Sequence, residues 1–125
     1  MVDDEPDIVE LVAFNLEAEG YEVITATDGM QALNRARAIL PDLIVLDLML
    51  PELDGLAVCE ILHRLPSTGS IPIIMLTAWR GELTRMIGLE AGAGDFLTKP
   101  FSPRELVNRV NNALRLKEEK DGSGD

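Results

Sequence analysis

The run from Leu43 to Asp47, of sequence LIVLD, constrains the fold more than any other stretch of this chain. Four apolar residues follow one another without a polar break, and the run ends at a carboxylate. It is too short for a helix and lacks the alternation of a half-exposed strand. It therefore predicts a strand buried on both faces, as in a parallel sheet covered by helices. Asp47 would leave the core at the carboxyl end of this strand, where open α/β sheets place their sites.

Helical and extended patterns alternate along the rest of the chain. Apolar residues at helical spacing predict helices that begin near Pro6, Asp28, Leu56, Glu82 and Ser102. On the second of these, the residues expected to face inward are Ala32, Leu33, Ala36, Ile39 and Leu40. The extended patterns predict strands over Tyr21–Ala26, Ile71–Thr77 and Asp95–Thr98. Such alternation predicts a doubly wound parallel sheet with helices on both faces.

Composition limits the class of function. The chain has 125 residues with a formal net charge of −11 and a pI of about 4.4. Direct contact with nucleic acid is not expected, because that requires a basic surface. The single cysteine, Cys59, allows no internal disulfide and indicates a reducing compartment. No apolar stretch approaches a membrane span and no signal peptide is apparent, so a cytoplasmic location without membrane contact is expected.

The size of the chain predicts one domain. We expect this domain over residues 1–117. Residues 118–125 are polar and contain glycine and serine, which is typical of a frayed tail or the start of a linker.

Polar side chains stand where the predicted strands end. Asp3 and Asp4 follow the first apolar pair, and Asp47, Thr77 and Lys99 end or follow later strands. Because the carboxyl ends of parallel strands share one edge of a sheet, these groups are expected to converge. Three carboxylates brought together repel one another unless a cation or protons intervene. Oxygen ligands of this kind suit Mg²⁺ or Mn²⁺ rather than zinc.

The same group of side chains predicts phosphoryl transfer onto the protein itself. A carboxylate can act as a nucleophile toward phosphorus, and the transfer requires metal and cationic groups to neutralise charge. Asp47 would supply the nucleophile, and Asp3 and Asp4 the metal site. Lys99 would contribute a positive charge, and Thr77 would donate its hydroxyl to a phosphate oxygen.

Five motifs, in this order and at these spacings, resemble those of the receiver domain of two-component response regulators. They are Asp3-Asp4-Glu5-Pro6, the stretch 43–51, Asp54-Gly55, Met75-Leu76-Thr77-Ala78 and Thr98-Lys99-Pro100-Phe101. The resemblance covers nearly the whole chain. It implies an α/β flavodoxin-like fold with a doubly wound five-stranded parallel sheet in the order 2-1-3-4-5.

The resemblance also implies a function and residue roles. A histidine kinase would phosphorylate Asp47 in a Mg²⁺-dependent reaction, with the metal held by Asp3, Asp4, Asp47 and the backbone carbonyl of Met49. Thr77 would be the switch hydroxyl, Phe96 the switch aromatic and Lys99 the partner of the phosphoryl group. Lys99-Pro100 would be a cis peptide. The chain would control a downstream output, transcription being the expected one. It would not be an enzyme beyond its own phosphorylation and dephosphorylation.

The chain is further similar to DNA-binding response regulators that dimerise through the fourth helix, fifth strand and fifth helix. The residues that match their cross-dimer ion pairs are Arg85, Asp95, Glu105 and Arg109. Two positions depart from that pattern, since Gly94 replaces the usual acid and Leu116 the usual basic residue. We therefore expect at least one ion pair to be missing and a homodimer to be weak or absent.

The first strand departs more strongly from the receiver-domain pattern, because only Met1 and Val2 precede the acid pair. In the receiver fold this strand is central, so losing most of it would leave backbone groups unpaired and a gap in the core. Two hypotheses are open. The natural chain starts earlier, or the strand survives as a stub of two or three residues.

Two other functions remain as alternatives. A receiver-like interaction module that is never phosphorylated would share the fold, and a distorted first strand could misplace Asp3 and Asp4. A Mg²⁺-dependent phosphatase of the haloacid dehalogenase kind also uses an aspartate nucleophile. At the nucleophile those enzymes have the pattern Asp-x-Asp, whereas the residue two positions after Asp47 here is Met49.

Overall fold

The computed structural model describes residues 1–50, 53–78 and 81–122, without the side chains of Glu82 and residues 118–122. The helices are α1 (Pro6–Ala18), α2 (Gly29–Ile39), α3 (Gly55–Arg64), α4 (Glu82–Glu90) and α5 (Pro103–Gly122). The strands are β1 (Ile44–Asp47), β2 (Ile73–Thr77) and β3 (Asp95–Thr98). The helix starts lie close to the predicted ones. The backbone of α5 continues through residues 118–122, while the domain boundary at 117 stays a prediction.

The three strands form a parallel sheet in the order β1-β2-β3. Every residue of β1 and β2 is buried, as the unbroken apolar runs predict. Side chains on one face pack with α2 and α3, among them Leu46 with Val58 and Leu62. Those on the other face pack with α1 and α5, where Val45 joins Val12. This confirms the predicted parallel sheet with helices on both faces.

Val2 forms a short stub at the position of the first strand. Val2 bridges Ala26 on one side and Leu46 on the other, both in parallel. Its amide donates to the carbonyl of Val45 at 2.8 Å, and its carbonyl accepts from the amide of Asp47 at 2.9 Å. The stub therefore lies between the segment before α2 and β1, as the order 2-1-3-4-5 requires.

The predicted strand over Tyr21–Ala26 is not formed, apart from the bridge at Ala26. A strand needs a neighbour along its length, and the stub reaches only the last part of this segment. The inward positions predicted for Ile39 and Leu40 are also wrong, because these residues are 48% and 50% exposed. Both line a cavity of about 670 Å³ beside Val2.

Capping side chains fix the helix starts. Asp28 accepts the amide of Gln31 at 2.8 Å, and Ser102 accepts that of Glu105 at 3.0 Å. These bonds satisfy amides that a helix leaves unpaired in its first turn. They fix where α2 and α5 begin, close to the predicted starts.

The buried stub should contribute measurably to stability. Val2 is 5% exposed, so Val2→Ala removes two buried methyl groups and should lower the free energy of unfolding by about 1–2 kcal/mol. Val23→Ala, at a partly buried site beside the cavity, is the matched control and should cost less. Urea denaturation measures both. Equal losses would contradict a structural role for the stub.

Candidate functional site

Four acidic side chains meet at the carboxyl edge of the sheet. Asp3 ends the stub and is fully buried, and Asp47 ends β1 and is 3% exposed. Asp4 and Glu5 follow the stub and are exposed. One carboxylate oxygen from each of Asp3, Asp4, Glu5 and Asp47 lies within 4.8 Å of the others. The geometry thus brings the predicted metal-binding carboxylates together, although the metal-binding role itself stays a prediction.

The ammonium of Lys99 lies inside this acid cluster. Its Nζ is 3.0 Å from Asp3 Oδ2, 3.0 Å from Glu5 Oε1 and 3.2 Å from Asp47 Oδ2. The Lys99 amide donates to the carbonyl of Thr77 at 2.7 Å, which holds this segment against the end of β2. The peptide between Lys99 and Pro100 is cis, as the resemblance implies. A single cation therefore joins three carboxylates, each of which lies more than 50 positions away from it in the sequence.

The pKa of Asp47 is raised to about 6. Burial and, to a smaller degree, the charge of Asp3 raise it, while the Met49 amide and Lys99 oppose this rise. The Met49 amide donates to Asp47 Oδ1 at 3.1 Å, while Lys99 contacts Oδ2. Both oxygens of this carboxylate are thus held in fixed directions.

Lys99 keeps its charge despite its position. Burial lowers its pKa, but hydrogen bonds to Asp3 and Glu5 and the charge of Asp47 outweigh that effect, so the pKa lies above its usual value. Asp3 is fixed in turn, because its Oδ1 accepts the amide of Glu5 at 2.9 Å. The site therefore contains a permanent positive charge that partly balances the carboxylates.

The loop after β1 approaches the site closely at Gly55. A Cβ atom at this position would overlap the carbonyl oxygen of Asp47, so glycine permits the contact. The Gly55 amide donates to the carbonyl of Leu48 at 3.0 Å, and Asp54 caps α3 by accepting the amide of Ala57. The Asp54-Gly55 motif thus anchors the loop beside Asp47.

The predicted switch residues lie on neighbouring strands. Thr77 ends β2 and is buried, and Phe96 lies on β3 in register with Met75. The ring of Phe96 packs against α4 where a Cβ atom at Gly88 would overlap it. Gly88 therefore gives the ring its place, and the switch roles of Thr77 and Phe96 stay predictions.

Three of the four residues predicted to form cross-dimer ion pairs contact one another within the chain. Arg109 contacts Asp95 at 2.6 Å and Glu105 at 3.6 Å. Arg85 is exposed on α4. Arg109, Asp95 and Glu105 thus form an intramolecular network that joins β3 to α5. The part of all four residues in a dimer stays a prediction.

Sequence reasoning assigned no role to Glu5 and Gly88. Glu5 contributes to the acid cluster and to the contacts of Lys99, and the only signal for it was its place after the acid pair. Gly88 lies inside an ordinary helical pattern, and nothing local indicates that an aromatic ring covers it. Both depend on contacts between segments distant in sequence.

Comparison with known proteins agrees with this geometry. Residues 1–111 match the family of the response regulator receiver domain. The chain belongs to this family. It is 53% identical over 118 residues to the alkaline phosphatase synthesis transcriptional regulatory protein PhoP of Bacillus subtilis, covering 94% of this chain and 48% of that protein. It is 42% identical over 120 residues to the DNA-binding response regulator MtrA of Mycolicibacterium smegmatis, covering 96% and 51%. The chain thus spans about half the length of these curated relatives.

Solved structures support the same assignment. A putative response regulator from Chloroflexus aurantiacus superposes with a TM-score of 0.86 at 42% identity, covering 91% of this chain and 93% of that one. The receiver domain of the Francisella response regulator 1452 superposes with a TM-score of 0.87 at 34% identity, covering 93% and 94%. The predicted receiver-domain fold is confirmed. This receiver domain is a component of two-component signal transduction. Among the described residues, no helix is both long and apolar enough to cross a bilayer.

The raised pKa of Asp47 predicts a change in the pH dependence of stability. The native state holds the Asp47 proton more tightly than the unfolded chain, whose carboxyl has a pKa near 3.8. Ionisation therefore lowers stability progressively as the pH rises from about 4, and the cost is complete above about pH 6. That cost disappears as the pH falls below about 4. Asp47→Asn removes it, so the variant's stability relative to the natural chain should fall by roughly 2 kcal/mol between pH 7 and pH 4.

Urea denaturation at a series of pH values measures this difference. Asp42→Asn is the matched control, because the Asp42 side chain is 90% exposed and should leave the pH profile unchanged. A constant difference between Asp47→Asn and the natural chain across this range would contradict the raised pKa.

Proposed function

We propose that this chain is a phosphorylation-activated signalling switch that accepts a phosphoryl group from a histidine kinase on Asp47. The observation that carries the proposal is the position of Asp47. It ends a buried strand, beside Asp3 and Asp4, with the Lys99 ammonium 3.2 Å from its Oδ2. Membership of the receiver-domain family supports the same reaction.

The acid cluster fits Mg²⁺, with Mn²⁺ as a second candidate. Its donors are carboxylate oxygens, which these hard cations prefer, and no histidine or cysteine of the described residues joins the cluster. Asp3, Asp4, Asp47 and the Met49 carbonyl would hold the ion, and Glu5 is close enough to assist. When bound, the ion would neutralise negative charge that gathers on the phosphoryl oxygens and the nucleophile.

The residues of the chain divide the reaction between them. One carboxylate oxygen of Asp47 attacks the phosphorus of a phosphohistidine; an O–P bond forms as the P–N bond breaks. The departing imidazole nitrogen keeps the electron pair and takes a proton from water. Because the pKa of Asp47 is about 6, its carboxylate is mostly ionised at pH 7. Lys99 is positioned to move from Asp47 to an incoming phosphoryl oxygen.

The chemistry is limited to the protein itself. Water attacks the phosphorus of the acyl phosphate, releasing inorganic phosphate and regenerating the Asp47 carboxylate. The chain therefore does not act as an enzyme on other substrates. The phosphoryl group lasts until this hydrolysis and constitutes the signal.

The signal would leave the site through Thr77 and Phe96. A phosphoryl group adds charge and strong acceptors at one point. The Thr77 hydroxyl would donate to it, and Phe96 would turn into the space left behind. This changes the surface formed by α4, β3 and α5, which carries the Arg109 network and the proposed homodimer contacts.

Transcription is the proposed output. The relatives PhoP and MtrA are named as transcriptional or DNA-binding regulators, and this chain covers about half of each. A DNA-binding region outside this chain would act on the signal, because a net charge of −11 disfavours DNA contact by the receiver domain itself. A cytoplasmic location would give access to both kinase and DNA.

Incubation with Mg²⁺ and acetyl phosphate, followed by intact mass spectrometry, tests the reaction. The natural chain should gain the mass of one phosphoryl group, and Asp47→Asn should gain none. Asp28→Asn, which keeps an oxygen at the cap of α2, is the control and should be modified like the natural chain. The mass gain should disappear when EDTA replaces Mg²⁺.

Three results would contradict the proposal. A gain that persists in Asp47→Asn would place the acceptor elsewhere. No gain in the natural chain would favour an interaction module that is never phosphorylated. Continuous phosphate release from varied phosphate esters would favour a phosphatase.

A further inference from the structure

The ring of Phe96 occupies a place that exists only because residue 88 has no side chain. Gly88 is buried in α4, and a Cβ atom there would overlap Cζ and Cε2 of the ring and come within 3.2 Å of Cε1. These atoms form the far end of the side chain, which can change position by rotating to another rotamer. A side chain at position 88 therefore requires the ring to leave.

The backbone on both sides of this contact is anchored. At the end of α4, the Ala93 amide donates to the Gly88 carbonyl at 3.0 Å, and the Gly94 amide donates to the Ile73 carbonyl of β2 at 2.9 Å. Phe96 lies in β3, which pairs with β2 along its length. The helix and the strand are thus tied to the same neighbour. A ring displaced from position 88 therefore moves by its own side-chain torsions.

A cavity of about 450 Å³ lies beside the ring and gives it space to enter. Phe96 lines this cavity together with Thr84 of α4 and Thr77, which ends β2. The cavity thus extends from the ring to the side chain that would donate to a phosphoryl group. A ring that leaves Gly88 has room on the side of Thr77, which is the direction that the proposed switch requires.

We propose that Gly88 is a positioning residue that sets the resting balance of the switch. Without a side chain at position 88, the Phe96 ring rests on α4 and the unphosphorylated conformation is favoured. A methyl group there would drive the ring toward Thr77 and favour the conformation that phosphorylation of Asp47 selects. The inference rests on the proposed function and adds the residue that determines how strongly the resting conformation is preferred.

Thermodynamic linkage gives the proposal a measurable consequence. A substitution that favours the inward ring also tightens the binding of a phosphoryl analogue to Asp47, because both act on one conformational equilibrium. Beryllofluoride with Mg²⁺ is such an analogue, since it forms a tetrahedral anion on a carboxylate. Gly88→Ala should bind it about fivefold more tightly, at the lower end of typical coupling between two sites.

Fluorine NMR reports the position of the ring directly. The chain has three phenylalanines, so labelling with 2-fluorophenylalanine gives three signals, and Phe96→Ala assigns the one of interest. Without beryllofluoride, the Phe96 signal of Gly88→Ala should move toward the position that the natural chain reaches with it. A signal that stays at the resting position would overturn the proposal.

Calorimetric titration with beryllofluoride at fixed Mg²⁺ measures the affinities. Gly94→Ala is the matched control and should bind like the natural chain, because a Cβ atom there meets only the Ile73 carbonyl, at 3.8 Å. In a chain that also carries Phe96→Ala, Gly88→Ala should leave the affinity unchanged, since no ring remains to move. The same gain with and without the ring would overturn the proposal, because it would then arise from the higher helix propensity of alanine.

Thr84→Leu is an independent variant that should act in the opposite direction. Thr84 lies one turn before Gly88 and lines the cavity, so a larger apolar side chain would fill the space that the ring enters. The variant should bind beryllofluoride more weakly than the natural chain, and tighter binding would overturn the proposal. Absence of phosphorylation of the natural chain by acetyl phosphate would instead contradict the proposed function. The fluorine signal would still show whether position 88 controls the ring.

Discussion

The contact of the Lys99 ammonium with three carboxylates is the interaction on which the site depends. Asp3 and Asp47 are almost completely buried, and like charges so close to one another repel strongly. Lys99 lies within 3.2 Å of both and of Glu5, and it keeps its proton there. The balance is incomplete, because burial and Asp3 still raise the pKa of Asp47 to about 6. The cluster thus retains an excess of negative charge that suits a divalent cation.

The parallel sheet creates this contact, since each strand delivers its last residue to the same edge. The first strand contributes to this edge although it is only a short stub. Val2 is bonded on both sides, so the next residue, Asp3, is carried to the edge. The stub therefore positions the acid pair.

Much of the fold and of the candidate site was predictable from the sequence, because the signals that determine them are local. The unbroken apolar run before Asp47 specifies a buried strand, and the polar residues after each strand indicate the shared edge. The caps at Asp28 and Ser102 are likewise local. The segment from Tyr21 to Ala26 has the residues of a strand, yet it forms only a bridge because its neighbour is short. Ile39 and Leu40 have inward spacing, yet they are half-exposed because a cavity lies beside them. In these cases the surrounding fold overrides the local pattern.

The contact between Lys99 and the buried acids can be tested most directly by a double-mutant cycle. Asp3→Asn keeps an oxygen for the Glu5 amide and removes the charge, and Lys99→Met keeps the length of the side chain and removes the ammonium. Urea denaturation of the natural chain, both single variants and the double variant gives their coupling energy. A favourable coupling of about 1–3 kcal/mol is predicted for a buried pair in direct contact. Additive losses, with a coupling near zero, would contradict the claim that one ammonium balances the acid cluster.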